Sequence, residues 1–331
     1  MSQPLRVLSI DGGGIRGIIP AVVLSALEDR LQQPISSCFD LIAGTSTGGI
    51  LAVGLTIRGD DGKPKFKAAQ LANLYRDRGK DIFHTSFWQR VRALGNLTGP
   101  RYPADGIEKV LQDYFGEARL KDSLTDLLVT SYEIQQLLSP FFFRSARARQ
   151  DPIYDFPARA VARATSAAPT YFPPAKVEAQ PGDKYPFYGL VDGGVFANNP
   201  SMCAYAEART IDPERDVLLV SVGTGQATER LSYDQAKGWG VAKWARPVLD
   251  VVFDGVADTV EYQLRQVLPG DNQYFRFQSP LDDAEDAMDD VSPDNLDRLF
   301  ATGQKIVSDN SADVDRCCAA LKAAAPQPAH V

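Results

Sequence analysis

Residues 44–49 read GTSTGG, a glycine-rich turn that separates two apolar segments. The segment before it, Phe39–Ala43, has the composition of a short buried strand, and the segment after it, Ile50–Ile57, continues as an apolar helix. The same order occurs earlier in the chain, where the β-branched run Leu5–Ile10 stops at DGGGIRG, residues 11–17, and a helical pattern follows. Two strand–turn–helix units in succession predict an α/β fold with a mostly parallel central sheet.

The rest of the chain extends this pattern to about residue 225 and then changes character. Further strands are predicted at Leu127–Ile134, Pro140–Arg144, Tyr188–Val191 and Val217–Val222. Helices are predicted at Ile18–Leu31, Ala68–Phe83, Ala158–Ala168, Pro200–Thr210 and Trp244–Leu268. We therefore expect a core over residues 1–225 and a helical extension, residues 226–331, packed on it, with a disordered tail from about residue 323. Within the extension, the acidic stretch 281–294 is expected to be a solvated loop.

The composition is that of a globular protein and excludes some classes of function. The chain has 331 residues, of which 44% are hydrophobic, and a net charge of −7, which argues against binding to a nucleic acid. Its four cysteines form neither a disulfide framework nor a zinc signature. The N-terminal residues do not resemble a secretory signal, and no apolar run reaches the roughly 20 residues of a membrane-spanning helix. We therefore expect a cytoplasmic protein that would meet a membrane only at its surface.

The turn at residues 44–48 matches G-x-S-x-G, the nucleophile elbow of serine hydrolases, in its required strand–turn–helix setting. A tight turn projects the serine Oγ from the edge of the sheet, and small neighbours are needed because the backbone is crowded there. The N–H of the next residue, Thr47, can then stabilise the negative oxygen of a tetrahedral intermediate. A turn rich in serine and threonine can also be a simple helix cap, but this context favours Ser46 as a nucleophile.

The loop DGGGIRG has two possible meanings. It satisfies G-x-G-x-x-G, the dinucleotide fingerprint, but Asp11 would then lie beside a pyrophosphate and the second strand lacks the acidic residue that binds the ribose. The alternative is an oxyanion hole, in which the amides of Gly12, Gly13 and Gly14 face one point without interference from a Cβ atom. Arg16 could add positive charge or hold the loop in place.

A nucleophilic serine needs a base, and the sequence offers few histidines. The chain has two, His84 just past a predicted helix and His330 in the terminal tail, and neither position suits a catalytic base. Either Ser46 is not catalytic or another group takes its proton. Asp192, which begins the motif DGG directly after a predicted strand, could accept the proton, since an aspartate is ionised at neutral pH.

Taken together, these motifs resemble the patatin-like phospholipase family, which combines a DGGGxRG loop, a G-x-S-x-G elbow and a downstream DGG or DGA aspartate. Two further blocks are similar to the family, ATSAAPTYF at residues 164–172 and VDGGVFANNP at residues 191–200. The resemblance covers roughly residues 5–225 and implies a three-layer α/β/α fold. It also implies Ser46 as nucleophile, Asp192 as base and an oxyanion region at Gly12, Gly13, Gly14 and Arg16, with no metal and no cofactor.

The implied substrates are phospholipids and related acyl lipids, whose ester bonds are cleaved through an acyl-enzyme to release fatty acids. A thioesterase or general carboxylesterase using the same residues is an alternative, and so is a phospholipase effector switched on by a cyclic nucleotide. The segment Phe83–Tyr102 contains aromatic and basic side chains, including Phe87 and Trp88. It is expected to be either a lid or membrane-contacting patch, or an ordinary packed segment. Neither the lipid head group nor the oligomeric state follows from the sequence.

Overall fold

The computed structural model describes residues 3–84, 100–228, 230–244, 247–282 and 284–325. The strands are β1 (Leu5–Ile10), β2 (Leu41–Thr45), β3 (Asp126–Glu133), β4 (Ser139–Arg144), β5 (Ala175–Glu178), β6 (Phe187–Asp192), β7 (Val217–Val222) and β8 (Tyr274–Phe277). The helices are α1 (Ile18–Leu31), α2 (Ile35–Cys38), α3 (Thr47–Thr56), α4 (Ala68–Ile82), α5 (Ala104–Phe115), α6 (Ser145–Gln150), α7 (Ala158–Thr165), α8 (Gly194–Ala197), α9 (Ser201–Ile211), α10 (Tyr233–Ala236), α11 (Val241–Trp244), α12 (Pro247–Val267), α13 (Pro293–Asp309) and α14 (Ser311–Ala323). Short 3-10 turns occur at Gly14–Gly17, Leu120–Asp122 and Pro152–Tyr154.

The strands form one sheet in the order β5-β6-β3-β2-β1-β7-β8, with β4 paired to β3 outside this order. Pairing is parallel from β3 through β2, β1 and β7 to β8, and antiparallel at β3–β4, β3–β6 and β5–β6. The predicted α/β class with a mostly parallel sheet is confirmed.

Helices cover both faces of this sheet. Along β1, Val7 belongs to a hydrophobic cluster that includes Ala204 of α9 and Leu264 of α12, whereas Leu8 belongs to a second cluster that includes Leu27 of α1. Successive side chains of a strand point to opposite faces, so the two clusters are separate cores on the two sides of the sheet. The fold is therefore a three-layer α/β/α arrangement, as expected.

The register of the strands brings the three glycine motifs to one edge of the sheet. Parallel pairing sets Ile10, the end of β1, beside Gly44 of β2, and antiparallel pairing sets Ser131 of β3 beside Asp192, the end of β6. Because β2 and β3 are neighbours, the loops that follow β1, β2 and β6 all emerge at this edge. In α/β proteins, ligands bind at the carboxyl ends of the strands.

The structure corrects some sequence-based boundaries. Helix α3 begins at Thr47, directly after Ser46, whereas the sequence predicted a start at Ile50. Glycines 48 and 49 indicated a turn, but they lie inside the helix. Glycine occurs at these positions because of close packing: a Cβ atom on Gly48 would lie 2.2 Å from the carbonyl oxygen of Ile10, and one on Gly49 would lie 2.7 Å from the side chain of Thr165. Helix α5 and strands β5 and β8 were not predicted; β5 and β8 have only four residues each.

The C-terminal third contains more than helices. Strand β8 pairs in parallel with β7 and so belongs to the central sheet. The acidic stretch was predicted to be a solvated loop, and this is wrong for part of it, since Leu281, Met288 and Asp289 are buried. Asp289 accepts a 2.8 Å hydrogen bond from the hydroxyl of Tyr102 and forms a 2.6 Å ion pair with Arg101.

Several expectations concern residues that the structure leaves undescribed. The central part of the predicted lid, including Phe87 and Trp88, lies outside the described residues, as do His330 and most of the predicted disordered tail. The division into a core and an extension at about residue 225 stays a prediction. In the part of the chain that is described, no helix combines the length and the apolar character needed to cross a bilayer.

Candidate active site

Ser46 lies at the joint between β2 and α3, in a backbone conformation that is rare for a residue with a side chain. Its φ is 55° and its ψ is −124°, and strained dihedrals of this kind are found mainly at functional sites. The turn is fixed from two sides. The N–H of Ser46 donates a 2.8 Å hydrogen bond to Oγ1 of Thr165, and a Cβ on Gly44 would lie 2.2 Å from the carbonyl oxygen of Gly48. Glycine is therefore required at position 44 by the backbone of Gly48, and at position 48 by the carbonyl oxygen of Ile10.

Asp192 ends β6 and is buried, with 1% of its surface exposed. Its Oδ1 accepts a 2.7 Å hydrogen bond from the N–H of Gly194, while its Oδ2 has no partner with acceptable hydrogen-bond geometry. Burial raises the pKa of Asp192 to about 7, and the nearby Ser46 side chain and the Gly194 amide oppose this rise. The Ser46 side chain is close enough to influence the carboxylate, but no aligned hydrogen bond joins the two side chains.

Ser46 and Asp192 both line a pocket with about 570 Å³ of empty space, part of it open to solvent. Three of the predicted oxyanion residues, Gly13, Gly14 and Thr47, line the same pocket. Most of the remaining wall is apolar, and its largest members are Ile50, Ile82, Phe83, Ile107, Tyr171, Phe172, Phe253 and Met288. No sequence pattern indicated that Phe253 or Met288, which lie far along the chain, would line this pocket.

Gly12 does not have the role that the sequence predicted. Its N–H donates a 2.9 Å hydrogen bond to the carbonyl oxygen of Asn198, so this amide is not available to an oxyanion. Gly12 is needed for another reason, since a Cβ here would lie 2.4 Å from Oδ1 of Asn198 and 3.2 Å from the Cβ of Ser46. The amides that remain are those of Gly13, Gly14 and Thr47, and the last of these is in the first turn of α3, where N–H groups have no partner within the helix.

Arg16 is buried and supports the glycine loop. Its Nε donates a 3.4 Å hydrogen bond to the carbonyl oxygen of Gly13, and its side chain lines a second, polar pocket instead of the one that contains Ser46. Of the two roles considered from the sequence, this position favours holding the loop in place over direct contact with a substrate.

A buried ion pair fixes the other side of the loop. Nη2 of Arg276, in β8, lies 2.6 Å from Oδ2 of Asp11, and both side chains are almost fully buried. Nη1 of Arg276 also donates a 2.8 Å hydrogen bond to the hydroxyl of Ser221 in β7. Sequence reasoning missed Arg276; the only signal was a single arginine in the apolar run YFRF.

We expect Arg276→Ala to lower the free energy of unfolding by about 3 kcal/mol, because it leaves Asp11 buried without its countercharge. Urea unfolding followed by circular dichroism measures this change. The control is Arg265→Ala, which breaks a more exposed pair with Glu261 and should cost less than about 1 kcal/mol. Similar losses in the two variants would contradict the proposed importance of the buried pair.

The described histidine does not belong to the site. His84 is exposed after α4 and does not line the pocket of Ser46. Within the described ranges, no three His, Cys, Asp or Glu side chains are grouped as metal ligands would be.

The family model for patatin-like phospholipases matches residues 8–205. The chain belongs to the patatin-like phospholipase family. Patatin-like protein 4 of Arabidopsis thaliana is 34% identical to it over 92% of this chain and 84% of the relative. Patatin-like protein 2 of the same plant is 33% identical over 92% and 83%. The resemblance inferred from the motifs is confirmed.

Membership of the patatin-like phospholipase family supports a lipid acyl hydrolase. One relative from Solanum tuberosum, 31% identical over 93% of this chain and 87% of its own length, is named probable inactive patatin-3-Kuras 1. For this patatin-like protein, the case for activity therefore depends on its own site residues. The family match ends before Phe253, Arg276 and Met288, so these contributions to the site come from outside it.

Proposed function

We propose that this protein hydrolyses the acyl ester bonds of phospholipids, with Ser46 as nucleophile and Asp192 as base. The observation that carries the proposal is that one apolar pocket is lined by both a strained serine and a buried carboxylate. The unpartnered Oδ2 of Asp192 is free to accept a proton. A pKa of about 7 makes Asp192 a stronger base than an ordinary carboxylate, while leaving much of it ionised at neutral pH.

The reaction has two steps. In acylation, Oγ of Ser46 attacks the ester carbonyl carbon as its proton moves to Asp192, and the negative oxygen faces the amides of Gly13, Gly14 and Thr47. The bond to the leaving alkoxide breaks, and Asp192 returns the proton to it, releasing a lysophospholipid. In deacylation, water attacks the acyl-Ser46 ester, Asp192 takes a proton from the water, and Ser46 regains its proton as the fatty acid leaves.

The apolar lining of the pocket supports a substrate with a hydrocarbon chain. Burying an acyl chain against its apolar walls releases about 0.8 kcal/mol per methylene group. A small polar ester would leave most of this surface without a partner. Chain length is therefore expected to contribute strongly to binding.

The proposed function is tested by comparing substrates side by side. Fatty-acid release is measured from mixed phospholipid liposomes, a long-chain acyl thioester and a short soluble ester, with a chelator present. Release from liposomes at the highest kcat/KM supports the phospholipase; preference for the thioester or the short ester supports a thioesterase or a carboxylesterase instead. Activity that appears only after a cyclic nucleotide is added would support the gated effector.

We further propose that the protein contacts anionic bilayers through residues 231–244. Tyr233 is 80% exposed and Val241 is 90% exposed, and the rings of Trp239 and Trp244 meet at 5.3 Å between centroids. Tryptophan and tyrosine favour the interface of a bilayer. The exposed cation Lys243 in the same segment suits anionic head groups, whereas Lys237 is paired with Asp234 at 2.6 Å. The helix that follows this segment, α12, carries Phe253 to the pocket of Ser46.

The double variant Tyr233→Asp/Val241→Asp is expected to reduce binding to anionic liposomes by about tenfold, since charged side chains are costly at the apolar interface. Co-sedimentation with liposomes measures the binding. Tyr262→Asp is the matched control, because Tyr262 is an exposed tyrosine (67%) outside this segment. An equal loss in the control, or no loss in the double variant, would rule out this surface.

A further inference from the structure

Two buried hydroxyl groups form a chain of hydrogen bonds next to the turn that carries Ser46. Thr45 directly precedes Ser46 at the end of β2, and Thr130 is its parallel partner in β3. Both threonine side chains are fully buried. Their Oγ1 atoms are 2.6 Å apart, and Oγ1 of Thr45 also donates a 2.6 Å hydrogen bond to the carbonyl oxygen of Ala197. Neither threonine lines the pocket of Ser46, so a substrate in that pocket would not touch them.

The direction of these hydrogen bonds follows from the chemistry of the hydroxyl group. A threonine hydroxyl has one proton to donate and can also accept. The carbonyl oxygen of Ala197 can only accept, so the proton of the Thr45 hydroxyl is directed to it. Thr130 must therefore be the donor in its contact with Thr45. The hydrogen bonds run in one direction, from β3 through the end of β2 to α8.

The last acceptor in this chain is joined to the turn of Asp192. Ala197 ends α8, and its N–H donates a 2.9 Å hydrogen bond to the carbonyl oxygen of Gly193. At the start of the same helix, the N–H of Gly194 donates a 2.7 Å hydrogen bond to Oδ1 of Asp192. The hydroxyl of Thr45 thus links the turn of the nucleophile to the turn of the base, across 152 positions in the sequence.

Strand β3 contacts both turns as well. Thr130 pairs with Thr45, and the next residue, Ser131, pairs with Asp192. Gly193 packs closely against Thr130, since a Cβ atom on Gly193 would lie 2.1 Å from Oγ1 of Thr130. The hydroxyl of Thr130 therefore lies between the end of the nucleophile strand and the residue that follows the base.

Proton transfer between Ser46 and Asp192 makes this link important. No aligned hydrogen bond joins the two side chains themselves, so their separation is set by the two turns that carry them. A displacement of about 1 Å between reacting groups can lower a rate by about 100-fold. Groups that fix the two turns relative to each other therefore control the rate of the proton transfer.

We propose that the hydroxyl groups of Thr45 and Thr130 set the distance between Ser46 and Asp192; this inference rests on the proposed function. Thr130 orients the hydroxyl of Thr45, and Thr45 holds α8, and with it Asp192, next to the nucleophile turn. Both threonines act through other residues and are positioning residues. Because Asp192 takes a proton in acylation and again in deacylation, loss of the link slows both steps and leaves the binding of the acyl chain unchanged.

Thr45→Val tests this proposal, because valine keeps the β-branched shape of threonine but has no hydroxyl. With p-nitrophenyl butyrate as substrate, we expect kcat to fall by about 30-fold and KM to stay within about twofold of the wild type. Thr130→Val leaves the hydrogen bond from Thr45 to Ala197 in place and should lower kcat by about threefold to tenfold. Thr45→Ser keeps the hydroxyl and should retain kcat within about threefold.

The matched control is Thr56→Val, in the helix that follows Ser46. Thr56 is also fully buried, and its hydroxyl donates hydrogen bonds to the carbonyl oxygens of Ala52 (2.9 Å) and Val53 (3.1 Å). It does not line the pocket of Ser46. Thermal unfolding should show small losses of stability in both Thr56→Val and Thr45→Val, whereas kcat should fall only in Thr45→Val.

The double variant Thr45→Val/Thr130→Val gives a second measurement. Because Thr130 acts through the hydroxyl of Thr45, removing both hydroxyls should cost no more than removing that of Thr45 alone. We therefore expect the double variant to have the kcat of Thr45→Val within about twofold, instead of the product of the two single losses.

Equal kcat values in Thr45→Val and Thr56→Val would overturn the inference, and so would multiplicative losses in the double variant. A change in KM alone would assign the threonines to binding and contradict it too. Loss of activity in Thr45→Ser would show that the methyl group matters instead of the hydroxyl. If the wild type shows no turnover that depends on Ser46, the proposed function fails and this inference fails with it, an outcome distinct from a loss confined to the threonine variants.

Discussion

Ser46→Ala is expected to lower kcat/KM for ester hydrolysis by about 10⁴-fold or more, because losing the nucleophile of an acyl-transfer site removes the covalent pathway altogether. The variant should remain folded. The hydrogen bond that Ser46 makes to Thr165 uses its backbone N–H, which alanine retains, and alanine is no larger than serine in this crowded turn. Fatty-acid release from phospholipid liposomes, followed for wild type and variant together, measures the effect.

The control for this experiment is His84→Ala. His84 is exposed and does not line the pocket, so the variant should retain activity within about twofold, as is usual for surface substitutions. Residual activity of Ser46→Ala above one-tenth of the wild type would mean that another residue is the nucleophile. Loss of activity in His84→Ala would reopen the possibility of a histidine base.

Asp192→Asn is expected to lose about 10³-fold or more in kcat/KM and to gain stability. Activity falls because an amide cannot accept the proton of Ser46. The fold is retained because the side-chain oxygen of asparagine can still accept the hydrogen bond from Gly194. The gain in stability arises because Asp192 is buried without a cationic partner, and ionising it costs free energy in the folded state only.

The stability effect depends on pH in a definite direction. Burial raises the pKa of Asp192 from its ordinary value of 3.8 to about 7. Between these values the unfolded chain loses the proton while the folded protein keeps it, so stability falls as pH rises from about 4 to about 7 and is then level. The full difference corresponds to about 4 kcal/mol. At pH 8, Asp192→Asn should therefore be about 1–3 kcal/mol more stable than the wild type. The gain is smaller than the full difference because burying an amide also costs free energy.

Urea unfolding of both proteins at pH 4 and pH 8 checks this, and the variant's advantage should appear only at the higher pH. Asp155→Asn is a matched control of opposite sign, because Asp155 is buried but paired with Arg119 at 2.6 Å and Lys121 at 3.4 Å. It should destabilise the protein at pH 8. An unaltered or lower stability of Asp192→Asn at pH 8 would contradict the view of Asp192 as an uncompensated buried carboxylate.

The same pKa sets the pH dependence of the reaction. Only ionised Asp192 can accept the proton of Ser46, so kcat/KM should rise with pH through a midpoint near 7 and level off above it. Steady-state assays with a soluble ester between pH 5 and 9 measure this profile. A midpoint near 4 would mean that the catalytic base has the pKa of an ordinary exposed carboxylate. That result would contradict the raised pKa of buried Asp192.

The features that could be predicted from the sequence are local. The turn around Ser46 and the strand that ends at Asp192 each occupy fewer than ten residues, and their steric requirements are visible in the order of small and apolar residues. The strand Leu5–Ile10 and the helix Ile18–Leu31 were likewise predicted from local patterns, and their boundaries agree with the structure. Motifs of this kind predict well because the reason for each residue lies beside it in the chain.

The features that the sequence did not predict depend on contacts between distant parts of the chain. The pairing of Arg276 with Asp11 joins residues 265 positions apart, and no periodic pattern reveals such a contact. Gly12 was assigned to the oxyanion hole because its amide could face a ligand, but the carbonyl of Asn198 takes that amide first. Met288 was placed in a solvated loop because its neighbours are acidic, whereas its carbonyl accepts a hydrogen bond from Ile15.

Strand β8 also bears on how the protein should be expressed as a recombinant fragment. A polypeptide trimmed to the limits of the family match, residues 8–205, would contain Ser46 and Asp192 but would lack β7, β8 and Arg276. What remains of β1, residues 8–10, would then lie at an unpaired sheet edge with its backbone N–H and C=O groups exposed, an arrangement that promotes aggregation. The smallest useful expression unit therefore extends well past the matched region, to at least residue 294, where the acidic stretch that contains Met288 ends.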